Sequence, residues 1–201
     1  MTDTRPAKRR WTQVFLAIAA IGLCFGAGWT IFGKCAESIA ATPDGAEITG
    51  STGRVLGAST GLPLPRFVSL KSAKTNVRGG PSSDHQVVWV FQRKGLPVEV
   101  VAESDNWRRI RDSDGEEGWI LQNMLAGKRT GVVMPWQRQA VAGLYGAPQL
   151  KGGIVARLEA GVVGEIESCA KGWCEFSAGG QQGYIEQAKL WGVYPDETVD
   201  N

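Results

Sequence analysis

Two cysteines separated by four residues are the side chains best spaced for chemistry in this 201-residue chain. The segment Cys169-Ala-Lys-Gly-Trp-Cys174 puts them opposite each other across a tight hairpin. Facing residues there lie about 4.5–5.5 Å apart, within reach of a disulfide. A redox pair is the weaker alternative, because the spacing differs from Cys-x-x-Cys and no helix start follows. We therefore predict a structural disulfide between Cys169 and Cys174, with free or metal-bound thiols as the remaining alternatives.

The other polar residues do not assemble into a catalytic set. His85 is the only histidine and lies in a predicted loop, so a Ser-His-Asp or Cys-His set lacks a second well-placed partner. Together with two cysteines it also falls short of a four-ligand zinc site. Four carboxylates surround one predicted turn, where solvation explains them better than a glycosidase pair: Asp112, Asp114, Glu116 and Glu117. We predict no enzymatic activity, no cofactor and no metal site.

Aromatic side chains are dense in the part of the chain beyond residue 65. Trp107 and Trp173 occupy matching positions in two similar segments, and we predict that they pack the core. Other rings can line a groove for an extended peptide. We predict Trp89 and Trp119 as groove residues, with Arg108 as a further ligand contact. The whole set is Trp89, Trp107, Trp119, Trp136, Tyr145, Trp173, Tyr184 and Trp191.

These residues lie in short strand-like segments that occur twice. Trp107-Arg-Arg-Ile-Arg precedes Gly118-Trp-Ile, and Trp173-Cys-Glu-Phe-Ser precedes Gly183-Tyr-Ile, at an offset of 65 or 66 residues. A repeat of that length is a whole small domain. Gly, Asp and Asn turns divide each copy into about five short strands, which favours an all-β fold. Five short antiparallel strands suit a small barrel, because closure removes exposed edges.

The repeated segments also resemble a known family. Asn76-Val-Arg-Gly-Gly-Pro81, Asn106-Trp-Arg-Arg-Ile-Arg111 and Glu117-Gly-Trp-Ile120 are similar to the bacterial SH3-like domain, in particular its exported two-copy variant. The resemblance covers roughly residues 66–195. It implies a domain that binds ligands, often cell-wall peptides, and for this variant it implies no assigned activity.

The resemblance implies an all-β fold of two tandem small SH3-like barrels. We place the first at residues 66–130 and the second at 131–195, followed by a tail at 196–201. The copies differ in charge, with 11 basic and 8 acidic residues in the first, net +3, and 5 and 8 in residues 131–201, net −3. These opposite charges predict either that the two barrels attract each other or that the first copy alone faces an anionic partner with Arg108, Arg109 and Arg111.

The copies also differ in their motifs. Gly143-Leu-Tyr replaces Asn76-Val-Arg, and Tyr184 replaces Trp119. These changes are typical of a copy that keeps the barrel and loses its binding surface. The first copy is therefore the predicted binding copy.

A hydrophobic segment precedes the two copies. Residues 11–33 form a run of 23 residues without charge, after four basic residues. The run reaches the roughly 20 residues needed to span a bilayer and exceeds the roughly 7–15 of a signal core. We predict a transmembrane or signal helix within residues 1–35. Residues 36–65 are small and polar, and we predict a flexible linker there.

The basic flank before the hydrophobic run predicts a cytoplasmic N-terminus and an exported body. An uncleaved anchor in the bacterial inner membrane, with the body in the periplasm, is favoured over a cleaved signal that releases the body. Beyond residue 35 the chain has 17 basic and 19 acidic residues, near −2. Such a body gives no electrostatic case for nucleic acid as the main partner.

These observations together predict a non-catalytic binding module of the cell envelope. The first barrel would recognise a cell-wall or envelope peptide, and the second barrel would support it. The alternative is a structural adaptor that docks a protein partner in an envelope complex.

Overall fold

The computed structural model describes residues 55–200. The predicted helix at 11–33 and the linker as far as residue 54 lie outside this range. Strands dominate the described part, whose two helical elements are single 3-10 turns at Gln122–Met124 and Gln187–Lys189. No helix between residues 55 and 200 is long and apolar enough to cross a membrane. The predicted all-β architecture is confirmed for these residues.

The first domain is one antiparallel sheet preceded by a short hairpin. The hairpin strands are β1 (Val55–Leu56) and β2 (Pro63–Leu64). The sheet strands are β3 (Arg66–Leu70), β4 (Thr75–Arg78), β5 (Val87–Phe91), β6 (Pro97–Ser104), β7 (Trp107–Arg111), β8 (Glu117–Leu121) and β9 (Leu125–Ala126). They lie in the order β5-β4-β8-β7-β6-β3-β9. We call β3 to β9 the first domain.

The second domain repeats this topology. Its strands are β10 (Thr130–Val133), β11 (Val141–Tyr145), β12 (Ile154–Glu159), β13 (Val163–Ala170), β14 (Trp173–Ala178), β15 (Gln181–Glu186), β16 (Leu190–Trp191) and β17 (Val199–Asp200). Their order is β12-β11-β15-β14-β13-β10-β16, with β17 added beside β13. Strand by strand this is the order of the first sheet, so the repeat in the sequence is a repeat of structure.

Each domain encloses its own core at corresponding positions. Alternate residues of a strand point to opposite faces, so one face of each strand supplies the core. The buried residues Val100 and Ile110 of the first domain correspond to Ile166 and Phe176 of the second. The inward positions therefore carry the fold in both copies.

The predicted disulfide between Cys169 and Cys174 is confirmed. The two residues lie directly opposite each other on β13 and β14, with their Cα atoms 4.1 Å apart. Lys171 and Gly172 connect the strands with φ values of 52° and 79°. Two consecutive positive φ angles define the type I′ turn, whose twist matches that of the strands it joins.

The first domain has an ion pair where the second has its disulfide. Glu103 and Arg108 lie directly opposite each other on β6 and β7, as Cys169 and Cys174 do on β13 and β14. Arg108 Nε lies 3.5 Å from Glu103 Oε1, and both side chains are shielded from solvent. One hairpin end is therefore closed by charge and the other by a covalent bond.

The prediction of a flexible linker up to residue 65 is wrong for its last part, because residues 55–64 form the β1–β2 hairpin. Glu103 holds this hairpin: it accepts hydrogen bonds from the backbone N–H groups of Ser59 and Thr60 at 3.0 and 2.9 Å and from the Thr60 hydroxyl at 2.7 Å. Burial acts to raise the pKa of Glu103, but bonds from Thr60, Arg66 and Ser59 outweigh it and lower the pKa to about 2. The composition of the segment gave no indication of this distant partner.

The two domains contact each other around Phe67 of β3. Its ring lies edge-on to Trp191, with centroids 5.1 Å apart, and 4.7 Å from the ring of Tyr194. The Tyr194 hydroxyl donates to Glu99 Oε1 at 2.8 Å. Burial, followed by this bond to Glu99, raises the pKa of Tyr194, so the hydroxyl stays protonated as a donor. Aromatic packing and a partly buried hydrogen bond thus join the domains.

Candidate functional site

The outer face of three strands in the first domain forms an open groove of about 220 Å³. β8 lies between β4 and β7, with Trp119 opposite Arg78 on one side and Arg109 on the other. The lining residues are Lys74, Asn76, Arg78, Trp107, Leu121 and Met124. One aromatic ring, two basic side chains and two apolar side chains therefore share a concave surface.

Strand alternation positions the β4 side of this groove. Thr75 and Val77 are buried, whereas Asn76 is exposed and Arg78 is half-buried. Because the side-chain period of a strand is two, Asn76 and Arg78 leave the sheet on its outer face. Lys74 is exposed just before the strand begins.

The same rule positions the β7 side, and it corrects a prediction. Ile110 is fully buried in the core, so Arg108 points inward with it, and Trp107 points outward. Trp107 is half-buried in the groove wall. The prediction that Trp107 and its counterpart Trp173 pack the core is therefore wrong, because both lie on outer faces.

Arg108 does not face the groove. Its side chain is 3% exposed and donates hydrogen bonds to the backbone oxygens of Asp105 and Trp107 at 2.7 and 2.8 Å. A further bond of 2.6 Å reaches Gln122 Oε1. A ligand arriving from solvent cannot contact this guanidinium, which instead stabilises the end of the β6–β7 hairpin.

The two tryptophans predicted for the groove lie apart from each other. Trp119 is half-buried on the outer face of β8, next in line to the groove through its pairing with Arg78. Trp89 packs against the core from β5, edge-on to Phe91 with centroids 6.2 Å apart. Trp119 is thus placed beside the groove, whereas Trp89 mainly covers the core.

Arg109 and Arg111 are engaged in ion pairs on the outer face. Glu117 lies 2.7 Å from Arg109 Nη2 and 2.9 Å from Arg111 Nη2, and Arg111 also contacts Glu99 at 3.1 Å. The hydrogen bond that Arg111 donates to the Glu117 carboxylate raises the pKa of Arg111. The positive charge of these two arginines is therefore largely compensated within the domain.

The second domain carries different residues at the groove positions. Matching the paired strands gives Val141 for Lys74, Gly143 for Asn76, Tyr145 for Arg78, Trp173 for Trp107, Glu186 for Leu121 and Lys189 for Met124. The ring of Tyr145 lies edge-on to Trp173, with centroids 5.6 Å apart. It therefore occupies the space that is open between Arg78 and Trp107.

Gly143 makes room for this ring. A Cβ atom added at Gly143 would lie 2.9 Å from Cζ and Oη of Tyr145, closer than van der Waals contact permits. In the first domain Asn76 stands at this position. The replacements at Gly143 and Tyr145 are thus coupled by packing.

The carboxylates near the β7–β8 turn have structural partners. Asp112 is buried, and its Oδ1 accepts bonds from the backbone N–H groups of Asp114 and Glu116, both at 2.9 Å. The prediction that solvation explains these carboxylates is therefore wrong for Asp112, whose side chain closes the turn. Over residues 55–200, no three His, Cys, Asp or Glu side chains are grouped so that they could hold a metal ion.

A larger cleft of about 460 Å³ lies where the two domains meet. Phe67 and Arg111 of the first domain line it together with Trp191 and Tyr194. Trp136 stands at this cleft with 56% of its surface exposed. Arg111 and Glu99 in its lining form an ion pair with each other, and four aromatic rings make up much of the remaining surface.

Comparison with known families identifies both copies. The family described as the bacterial SH3 domain matches residues 71–127 and again residues 139–192. The resemblance seen in the sequence is therefore confirmed, including its two-copy form. No curated protein matches the chain.

Two solved structures are similar to parts of the chain, both from Trichomonas vaginalis. NlpC1 is 20% identical with a TM-score of 0.28, over 67% of this chain and 48% of that one. NlpC2 is 17% identical with a TM-score of 0.29, over 68% and 51%. The chain thus spans about half the length of each.

Proposed function

Because the chain belongs to the bacterial SH3 domain family, we propose that it is a non-catalytic binding module whose first domain recognises a cell-wall or envelope peptide. The open groove of the first domain, closed by Tyr145 in the second, is the observation that carries this proposal. Peptide-binding domains commonly combine an aromatic wall with a few polar groups that fix orientation. Trp107, Asn76 and Arg78 supply both elements.

We assign the second domain a supporting role. Its own aromatic residue at the groove wall, Trp173, is covered by Tyr145. A disulfide closes its β13–β14 hairpin, and Tyr194 bonds it to Glu99 of the first domain. Binding is therefore expected from one domain of the two.

Retention on insoluble peptidoglycan tests the function directly. The full-length chain in a non-ionic detergent is sedimented with peptidoglycan, alongside Trp107→Ala and the matched control Trp173→Ala. We expect Trp107→Ala to weaken retention about tenfold, as for an interface residue worth about 1.4 kcal/mol. Equal retention of all three proteins, or no retention of the unaltered chain, contradicts the proposal.

We further propose an anchor at residues 11–33 in the bacterial inner membrane with the body in the periplasm, or release of the body after cleavage. The disulfide supports export, since such bonds persist in oxidising compartments. N-terminal sequencing of the mature protein separates the two forms. A sequence starting before residue 11 indicates the anchor, and one starting after residue 33 indicates cleavage.

A structural adaptor is the second candidate function. Exposed tryptophans are frequent centres of protein–protein contacts, and Trp136 stands exposed at the cleft between the domains. Crosslinking in intact cells tests this alternative. Recovery of one protein partner that is lost in Trp136→Ala, without wall fragments, favours the adaptor.

A further inference from the structure

We infer that the groove of the first domain selects acidic peptides, with a ligand carboxylate held between Lys74 and Arg78 and an apolar ligand side chain against Trp107. This inference rests on the proposed function and names the chemical class of its ligand. It concerns the six residues that line the groove.

The groove carries positive charge without an internal counter-charge. Lys74 and Arg78 both line it, and its other lining residues are neutral. Within residues 55–200 neither of them forms an ion pair, whereas Arg66, Arg108, Arg109, Arg111 and Arg129 do. Two cations on one concave surface favour a ligand of opposite charge.

The arginine of this pair is held in place for such a contact. Arg78 Nη1 donates to the backbone oxygen of His85, which fixes the guanidinium at the end of β4. The remaining N–H groups of the fork are the donors that pair well with a carboxylate. Lys74, exposed just before β4, adds a mobile charge that can follow the same group.

The apolar half of the groove lies beside these cations. Trp107, Leu121 and Met124 form its other lining residues, apart from Asn76. A peptide that alternates acidic and apolar side chains therefore matches the surface better than a uniformly charged one. The ring of Trp107 supplies the largest apolar area.

The second domain shows that these cations are not needed to build the fold. Val141 and Tyr145 stand at the positions of Lys74 and Arg78, and the strand order is unchanged. Glu175 and Glu186 replace Arg109 and Leu121 on the same face. Glu186 forms an ion pair with Lys189, which stands at the position of Met124. The duplicated surface therefore lacks the two unpaired cations of the first groove and has less attraction for the same ligand.

Peptide arrays test the inference with the full-length chain. Three pools of eight-residue peptides are fixed at every second position as Asp or Glu, as Asn or Gln, or as Lys or Arg, with random residues between. We expect the acidic pool to bind at least tenfold better than the amide pool. Raising NaCl from about 50 to 300 mM should weaken binding several-fold, because screening acts on exposed charge pairs.

Variants locate the effect. Lys74→Ala and Arg78→Ala should each weaken binding of the acidic pool roughly 3- to 10-fold. Lys151→Ala and Arg157→Ala remove equal charge from exposed positions of the second domain and should leave binding unchanged. Circular dichroism of every variant verifies that the fold is retained.

The outcomes separate the inference from the proposed function. Equal binding of amide and acidic pools, with both lost in Trp107→Ala, overturns the acidic selection and leaves a peptide groove. Absence of binding to every pool and to peptidoglycan overturns both. Binding to phosphatidylglycerol vesicles that depends on Lys74 and Arg78, without peptide binding, overturns the inference in favour of a membrane surface.

Discussion

The first and second domains share one strand order, yet their outer faces differ at the position where a ligand could bind. In the first, Arg78 and Trp107 stand apart across an open groove; in the second, Tyr145 lies against Trp173 and closes it. The inward positions of both domains hold large apolar residues, such as Ile110 and Phe176. The fold therefore depends on one set of alternate residues, while the other set is free to diverge.

The strongest test of this division sets an inward residue against an outward one on the same strand. Phe176→Ala removes a fully buried ring from the second core and should lower the free energy of unfolding by about 3–5 kcal/mol. Trp173→Ala, three residues earlier on β14, removes an outer aromatic pair and should cost only about 0.5–1.5 kcal/mol. Urea unfolding measures both, and comparable losses contradict the division.

The next test concerns how the two hairpin ends are closed. Replacing Cys169 and Cys174 together by Ala should lower the free energy of unfolding of the second domain by about 2 kcal/mol, the loop-entropy value for so short a loop. The first domain lacks this bond, so its own unfolding should be unaffected by dithiothreitol. Guanidinium unfolding with and without the reductant checks this. If the reductant destabilised the first domain and not the second, the disulfide would not be what stabilises the hairpin end of the second domain.

Acid should destabilise the end of the β6–β7 hairpin in the first domain, where Glu103 lies. The pKa of Glu103 is lowered to about 2 in the folded chain, below the usual value of about 4.3 for an unfolded glutamate. Its stabilising contribution is therefore complete above about pH 4.3 and is lost as the pH falls through about 2. The protection of the Ser59 and Thr60 amides against hydrogen exchange, taken relative to the intrinsic exchange rate at each pH, should fall over that window.

Glu103→Gln is the matched variant for this hairpin end. It should loosen the β1–β2 hairpin already at neutral pH, at a cost of about 1–2 kcal/mol for the weakened hydrogen bonds. Its amide exchange at Ser59 should then lose most of the acid dependence. Unchanged exchange in the variant would show that another contact holds the hairpin.

The smallest effect on stability, and the sharpest on binding, should come from transplanting the second surface into the first. Asn76→Gly with Arg78→Tyr places a ring against Trp107 and leaves room beneath it, as Gly143 does for Tyr145. The aromatic pair and the strand glycine nearly offset each other, so unfolding should shift by no more than about 1 kcal/mol. Peptide binding should be lost. Arg78→Tyr alone, with Asn76 in place, should close the groove less completely.

The sequence predicted the duplicated all-β fold and the disulfide because both follow from local spacing. The correct placement of Trp107 and Arg108 also follows from strand alternation in the sequence. Ile110 is apolar and points inward, so Arg108 points inward with it and Trp107 points outward. The matching positions of Trp107 and Trp173 in the two copies suggested core residues, although strand alternation puts both on the outer face. Lys74 carried no signal of its own. The replacement of Arg78 by Tyr145 between copies did mark the groove, but only the structure shows that Tyr145 fills it.

The β1–β2 hairpin could not be predicted from its own residues. Small and polar side chains there bury little apolar surface, which is the usual basis for predicting a linker. Its stability comes instead from Glu103, more than 40 residues away along the chain. The composition of a segment gives no information about a partner so far away along the chain.

The hydrogen bond from Tyr194 to Glu99 can form only late in synthesis of the chain. Its two residues are 95 positions apart, so a ribosome adding 5–20 residues per second delivers the donor roughly 5–20 seconds after the acceptor. Until then Glu99 has Arg111 as its partner, and Phe67 lacks the rings of Trp191 and Tyr194. The first domain is the first to emerge, but its surface is finished only when the last strands of its neighbour arrive.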